Sequence, residues 1–227
     1  MGGALSLTLA ALAYPGMLGL QTVAGSGDRI IAQTSAGSLT EADRDFVVKV
    51  RAAGLWEYPV GQMALEKGTT KAVVTAGEHL IAGHAALDAA VRKIAPELGI
   101  TIPNRPSPQQ QGFVATLQAD SGRQFDTDMA NILRVTHGQI FNTIAKIRAN
   151  TRNTLVRQLA DQANDTVLDH ITVMEKTGLV DMDEVLFQET SPPKLPAEDM
   201  TPPPPSPGQS EVVLTPPPTS SPEPTTG

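Results

Sequence analysis

Residues 46–64 read FVVKVRAAGLWEYPVGQMA, and this stretch decides the fold. Its apolar side chains recur at alternating steps of four and three residues, the spacing of a helix that packs one face against neighbouring helices. The seam formed in this way consists of Phe46, Val50, Ala53, Glu57, Val60 and Ala64. Because Glu57 is the one carboxylate in the seam, the pattern predicts a buried acid as well as a core helix.

Three later segments repeat this seam, and each places one histidine in it. The histidines are His84, His137 and His170. We expect the four helices at about 40–67, 70–96, 126–149 and 154–177, with a short crossing helix at about 108–118 between the second and the third. Tight turns join the first helix to the second and the third to the fourth, and a long crossover joins the two pairs. This order predicts an all-α fold, an up-down-up-down four-helix bundle of the ferritin-like type.

The chain before the bundle lacks the helical seam. Residues 1–24 combine an apolar run with small residues at its end, which is typical of a signal peptide, and the alternative is a short membrane anchor. Either interpretation predicts a secreted or cell-envelope protein. We expect a flexible lead-in at 25–39, the bundle at 40–178 and a loose helical extension at 179–190.

The last part of the chain, residues 191–227, holds 13 of the 19 prolines, with serine, threonine and glutamate between them. A segment of this composition buries too little apolar surface to fold by itself, and its prolines favour an extended polyproline conformation. The sequence therefore predicts a disordered tail, of a kind that often spaces a domain from a cell envelope or carries O-glycans.

The composition excludes several classes of function. The chain has no cysteine, which excludes disulfides, thiolate zinc sites, iron–sulfur clusters and covalently attached haem. The net charge is −7 and the basic residues are scattered, so we expect no nucleic-acid partner. No strand pattern supports a glycine-rich phosphate loop or a nucleophile elbow. We expect binding rather than catalysis.

The candidate site consists of the ionisable residues of the seams, one on each helix: Glu57, His84, His137 and His170. At about 1.5 Å per residue their heights in the bundle differ by about 10 Å, and the lean of side chains toward helix N-termini reduces this to about 5 Å. A divalent ion would satisfy all four groups, and three imidazoles with one carboxylate suit zinc, copper, iron or manganese. Asp88, one turn after His84, and Asp169, beside His170, could orient the imidazoles.

Two other interpretations fit the same residues. The first is a structural or interaction module in which a buried Glu–His hydrogen-bond network only fixes the register of the helices. The second is a haem bound by two of the histidines. Small residues of the first helix would make room for it, although close helix packing also explains them. These residues are Ala53, Gly54, Gly61 and Ala64.

Several short motifs carry a resemblance to a known family. They are Gly54-x-x-Glu57-x-x-x-Gly61-x-x-Ala64, residues 76–84, Phe125-Asp126 followed by His137, and residues 155–170. Over about residues 41–177 the chain resembles the domain of unknown function 4142 family, bacterial ferritin-like bundles described as predicted outer-membrane proteins. The resemblance implies no activity. It implies that Asp126 belongs, with Glu57 and the three seam histidines, to the family's characteristic polar positions, and we expect Asp126 beside the site.

One feature of di-iron bundles is missing from the chain. Those proteins carry a Glu-x-x-His pair on each of two helices, and this sequence contains no such pair. We therefore expect neither ferroxidase nor di-iron oxygenase chemistry.

Overall fold

The computed structural model describes residues 29–191 and 194–217. Its helices are α1 Glu41–Lys67, α2 Lys71–Leu98, α3 Pro108–Ala119, α4 Gly122–Asn150, α5 Thr154–Lys176, α6 Met182–Thr190 and α7 Ala197–Met200. Two short strands, β1 Ile30–Thr34 and β2 Gly37–Thr40, precede them. The described chain is mostly helical, which confirms the all-α prediction. The prediction of a signal peptide or anchor at 1–24 lies outside the described residues.

Polar caps fix the starts of the long helices. The Thr40 hydroxyl accepts a hydrogen bond from the Asp43 N–H, and the Asp43 carboxylate accepts one from the Thr40 N–H at 2.9 Å, which closes a capping box before α1. Thr70 caps α2 in the same position, and the Asn153 side chain accepts from two N–H groups at the start of α5. The connections 68–70 and 151–153 are therefore short, so each joins two antiparallel neighbours.

The four long helices pack in pairs. Helix α1 lies along α2 and α4 lies along α5, while α2 contacts α5 and α1 contacts α4. The short helix α3 lies against α1 and α4 after the crossover. No helix in the described part of the chain is both long enough and apolar enough to span a membrane.

The core consists of two apolar clusters that follow one another along the long helices. The first cluster includes Phe46, Leu87, Ile144 and Leu159. The second cluster includes Trp56, Leu80, Leu133 and Met174. Each long helix contributes to both clusters, so every helix crosses from one apolar layer into the other.

The prediction of a flexible lead-in at 25–39 is corrected for its described part, which forms an ordered hairpin over residues 30–40, while residues 25–28 lie outside the described residues. Strands β1 and β2 pair antiparallel, and Leu39 enters the first apolar cluster. The Thr154 N–H donates to Ala36 O at 2.8 Å, and the Asn153 amide donates to Gly37 O at 3.2 Å. The hairpin carries no Asn-Gly turn, and these long-range bonds to the α4–α5 connection hold it.

The prediction of a disordered tail is wrong for residues 194–217. This part of the chain contains α7 and then runs as extended backbone, with Leu214 only 8% exposed. A tail of this composition cannot build its own core, but Leu214 is buried in the core of the bundle, next to α1 and α2. Residues 210–215 of the tail are therefore packed against the bundle, whereas most of the remaining described residues are exposed.

Candidate metal centre

The structure brings the four candidate residues together between the two apolar clusters. On α2, Leu80 belongs to the second cluster and Leu87 to the first, and His84 lies between them. Glu57, His137 and His170 lie at the same border on α1, α4 and α5. Their exposures are 5% for Glu57, 3% for His84, 2% for His137 and 0% for His170. Four polar side chains thus form one buried layer inside an apolar core.

Short contacts link these side chains into one cluster. The Glu57 Oε2 atom lies 2.9 Å from His84 Nε2 and 3.1 Å from His137 Nε2. His137 Nε2 also lies 3.0 Å from His170 Nδ1. One nitrogen or oxygen from each of the four residues lies within 4.8 Å of all the others. The predicted convergence of heights is therefore met.

Main-chain carbonyls fix the outer nitrogens of two imidazoles. His137 Nδ1 donates to Leu133 O at 2.7 Å, and His170 Nε2 donates to His79 O at 3.1 Å, because a carbonyl oxygen only accepts. In a neutral imidazole the second nitrogen then carries a lone pair. His137 Nε2 and His170 Nδ1 would direct two lone pairs at each other, so a proton or a cation must lie between them.

In the ion-free protein a proton on His137 fills this role. Burial by itself favours the neutral imidazole, but attraction to Glu57 and the hydrogen bonds to Glu57 and Leu133 raise the pKa of His137. Burial likewise opposes the charge of Glu57, yet attraction to His137 and His84 lowers the pKa of that carboxyl. Glu57 and His137 therefore form a buried ion pair.

His170 stays neutral beside this pair. Burial lowers the pKa of His170 well below its ordinary value, and electrostatic interaction with the neighbouring His137 and His84 lowers it further. The neutral ring keeps a lone pair on Nδ1, which accepts from the protonated His137 Nε2. His170 Nδ1 is thus an available ligand atom at neutral pH.

His84 leaves one polar atom without a partner. Its Nε2 faces Glu57, while its Nδ1 is buried and has no hydrogen-bond partner within the described residues. A buried nitrogen without a partner costs about 1–3 kcal/mol. The cluster is therefore incomplete as a hydrogen-bond network on the His84 side.

The donor set fits a small divalent ion. A zinc ion about 2.0–2.1 Å from each nitrogen or oxygen requires ligand atoms about 3.3 Å apart. The three hydrogen-bonded separations, 2.9, 3.0 and 3.1 Å, are close to that value. The other three separations are no longer than 4.8 Å, and a tetrahedral site requires the side chains to bring any longer ones to about 3.3 Å.

A haem does not fit between these histidines. Two axial imidazoles lie on opposite faces of a porphyrin, which holds their ligand nitrogens about 4 Å apart with the macrocycle between them. Here the rings of His137 and His170 are in edge contact, with centroids 5.0 Å apart and nitrogens 3.0 Å apart. The small residues of α1 serve close packing instead, since a Cβ on Gly61 would lie 2.8 Å from Gly77 O.

Two of the carboxylates expected to orient the imidazoles take other partners, which corrects that expectation. Asp88 forms a buried ion pair with Arg51. Asp169 accepts from His79 Nδ1 at 2.7 Å, on the surface of the bundle. Asp169 directly precedes His170 and therefore points to another side of the helix, whereas Asp88 shares a helix face with His84 but pairs with Arg51 of α1 instead.

Asp126 lies at the end of the bundle rather than beside the cluster. Its carboxylate accepts from the Thr69 N–H at 3.1 Å and from the Thr69 hydroxyl at 2.5 Å, before α2 begins. The expectation of a role beside the site is therefore corrected. Orientation of His137 and His170 comes from the helix carbonyls of Leu133 and His79.

Sequence reasoning missed one residue that positions the site, Gly83 on α2. A Cβ at this position would lie 2.6 Å from His170 Nε2 and 2.8 Å from Thr166 Cγ2. The missing side chain lets His170 reach the His79 carbonyl. A glycine inside a helix lowers the stability of the helix by about 1 kcal/mol relative to alanine. An unfavourable glycine within the helical pattern of α2 was therefore the one signal in the sequence that another side chain approaches closely at this position.

Comparison with known proteins places the chain in one family. No curated protein and no solved structure matches the sequence. The model of the family described as Domain of unknown function (DUF4142) matches residues 30–177, from the hairpin to the end of α5. The match contains all four residues of the cluster and covers more than half of the chain. The chain therefore belongs to the DUF4142 family.

Proposed function

We propose that the protein is an exported four-helix bundle of ferritin-like topology that binds one divalent metal ion in its core. Glu57, His84, His137 and His170 are the ligands, and zinc, copper, iron or manganese is the ion. The observation that carries the proposal is the 3.0 Å approach of His137 Nε2 to His170 Nδ1, with two main-chain carbonyls bonded to the outer nitrogens of the two rings. Binding, rather than catalysis, is the role.

The ion would replace the proton that now bridges the imidazoles. A divalent cation accepts lone pairs from three nitrogens and one carboxylate oxygen, and it needs no rearrangement of the carbonyl bonds behind two of the rings. The ion also neutralises the Glu57 charge inside the buried polar layer. A single imidazolium offsets the cost of burying that carboxylate less well than a divalent ion does.

A cavity supports access for an ion. About 260 Å³ of space lies between α1, α3 and α4, with Glu57 among its lining residues. Amide side chains line the same space, and Lys49 is at its border. An ion that enters there meets the carboxylate first and the imidazoles behind it.

Export and envelope association belong to the same proposal. The apolar run within residues 1–24 and the proline-rich residues 191–227 support them. Sequencing the N-terminus of the protein recovered from envelope and secreted fractions tests export. A chain that starts with residue 1 in the cytoplasmic fraction contradicts it.

Metal content measured on the purified full chain after reconstitution tests the binding function. The variants His84→Ala and His170→Ala remove ligands, and His79→Ala is the matched control because only the carbonyl of His79 contacts the cluster. We expect about one ion per wild-type and control chain, and a loss of at least tenfold in affinity for each ligand variant. Equal and negligible metal in all four chains refutes the proposal.

The second candidate is a structural module, favoured by the hydrogen bonds that already connect all four side chains without an ion. In that case the ligand variants lower the free energy of unfolding but bind no less metal than wild type. Denaturant unfolding of the same proteins, with and without the ion, separates the two functions, because an ion that binds the native state raises its stability.

A further inference from the structure

Residues 210–215, which we call the cover segment, lie across a groove between α1 and α2. Two side chains of the groove bind its first half. The Asn104 amide donates to Ser210 O at 3.2 Å, and Asn104 Oδ1 accepts from the Val212 N–H at 3.1 Å. The guanidinium of Arg51 donates to Val212 O at 2.7 Å. The groove thus recognises backbone atoms rather than side chains.

The second half of the cover segment is held in the same way. Asp88 Oδ2 accepts from the Leu214 N–H at 3.1 Å, and the Tyr58 hydroxyl donates to Thr215 O at 2.9 Å. The backbone hydrogen bonds thus fall on every second residue, 210, 212 and 214. This is the pattern of an extended peptide that adds to the edge of a β-sheet, except that here the partners are side chains of the groove rather than a strand. Leu214 enters the groove while Val213 is 50% exposed.

Buried charges give the groove its shape. The side chains of Arg51 and Asp88 are 0% and 1% exposed and form an ion pair. Arg51 also donates to Pro103 O at 3.1 Å, which ties the crossover loop to the pair. The backbone of the cover segment completes the hydrogen bonding of both charges, so water could take its place when the segment lifts.

The cover segment lies next to the incomplete side of the metal centre. A Cβ on Gly54 would lie 3.0 Å from Leu214 Cδ1 and 3.7 Å from His84 Nδ1, so the methyl group and the unpartnered nitrogen face the same notch. That nitrogen is buried and without a hydrogen bond in the described structure. A leucine methyl offers it no donor and no acceptor.

We propose that the cover segment is an exchangeable lid over the His84 side of the metal centre, and that ion binding and segment docking oppose each other. This inference rests on the proposed function. An ion bound to His84 Nε2 leaves Nδ1 as an N–H donor, which metal-bound histidines normally pair with an acceptor. Lifting Leu214 admits water to that position. By linkage, docking of the segment weakens ion binding by the same factor.

Two full-chain variants test the lid. Leu214→Ala removes the buried anchor, and Val213→Ala is the matched control at the exposed neighbouring position. Zinc affinity measured by titration should be several-fold higher in Leu214→Ala than in wild type, because the weakened docking no longer opposes the ion, and it should be unchanged in Val213→Ala. Hydrogen exchange in wild type provides a second measurement. Zinc should speed exchange of the Val212 and Leu214 amides several-fold.

The outcomes separate this inference from the function on which it rests. A wild-type chain that takes up no zinc overturns the proposed function and the lid with it. A chain that takes up zinc but binds it with equal affinity in Leu214→Ala and Val213→Ala overturns the lid alone. The lid is also overturned if zinc leaves hydrogen exchange of the Val212 and Leu214 amides unchanged or slows it.

Discussion

Replacing Gly83 by alanine tests the geometry of the cluster with a single methyl group. Gly83 lies inside α2, where the new Cβ would be 2.6 Å from His170 Nε2, 2.8 Å from Thr166 Cγ2 and 3.0 Å from His170 Cε1. These distances are shorter than van der Waals contact, so the imidazole must move away. The movement breaks the 3.1 Å bond from His170 to His79 O, which fixes the tautomer of the ring.

The expected change in stability has two opposing parts. Alanine in place of glycine in a helix interior gains about 1 kcal/mol. Overpacking costs about 1–3 kcal/mol, and a buried imidazole N–H without a partner costs about 1–3 kcal/mol more. The free energy of unfolding should therefore fall by about 1–5 kcal/mol. Zinc affinity should fall at least tenfold, because the Nδ1 lone pair no longer points at the site.

Gly112→Ala is the matched control for this prediction. Gly112 also lies within a helix, α3, and nothing is within 4 Å of its added Cβ. This variant should gain about 0.5–1 kcal/mol and bind zinc as wild type does. Urea unfolding and zinc titration of both variants provide the measurements. If Gly83→Ala is stabilised as much as Gly112→Ala, the position assigned to His170 is refuted.

Two further predictions concern charge. The pKa of His137 is raised above its ordinary value of 6.5, so a proton competes with the ion for Nε2. Zinc affinity should therefore weaken by up to tenfold for each pH unit below that raised pKa. Calorimetry at neutral pH should show that about one proton is released for each ion bound. Zinc affinity that is flat between pH 8 and 5 would contradict this assignment. Arg51→Met removes the buried partner of Asp88, which keeps only the partly exposed Arg92 at 3.0 Å, so the free energy of unfolding should fall by about 3 kcal/mol in urea, the lower end of the cost of breaking a buried pair. The control Lys49→Met, at an exposed position, should change the free energy of unfolding by less than about 0.5 kcal/mol. If Arg51→Met changes it as little as this control does, the buried ion pair contributes nothing to stability.

Sequence periodicity predicted most of the helical fold. The first long helix was expected at about 40–67 and is Glu41–Lys67, and the fourth was expected to reach residue 177 and ends at Lys176. The third starts earlier than predicted, at Gly122 rather than near Asp126. Capping residues and the spacing of apolar side chains are local properties, so a single chain displays them without any knowledge of its neighbours.

The same local pattern predicted which residues form the cluster. A polar residue in an apolar seam must face the core wherever the helix packs, so Glu57, His84, His137 and His170 were predicted to be buried. Their exposures of 5% or less agree with that prediction. Whether they meet depended on the relative heights of four helices, at about 1.5 Å per residue, which only the packed helices set.

The sequence alone therefore determined the helices, their inward faces and the identity of the candidate ligands, because these follow from residues within a few turns of one another. Only the tertiary structure decided the partners. It paired Asp88 with Arg51, placed Asp126 at Thr69, ordered the hairpin against the α4–α5 connection and docked Leu214 beside His84. Each of these contacts joins residues distant in the chain. The choice among competing partners is made by the three-dimensional positions of the helices, which no local pattern encodes.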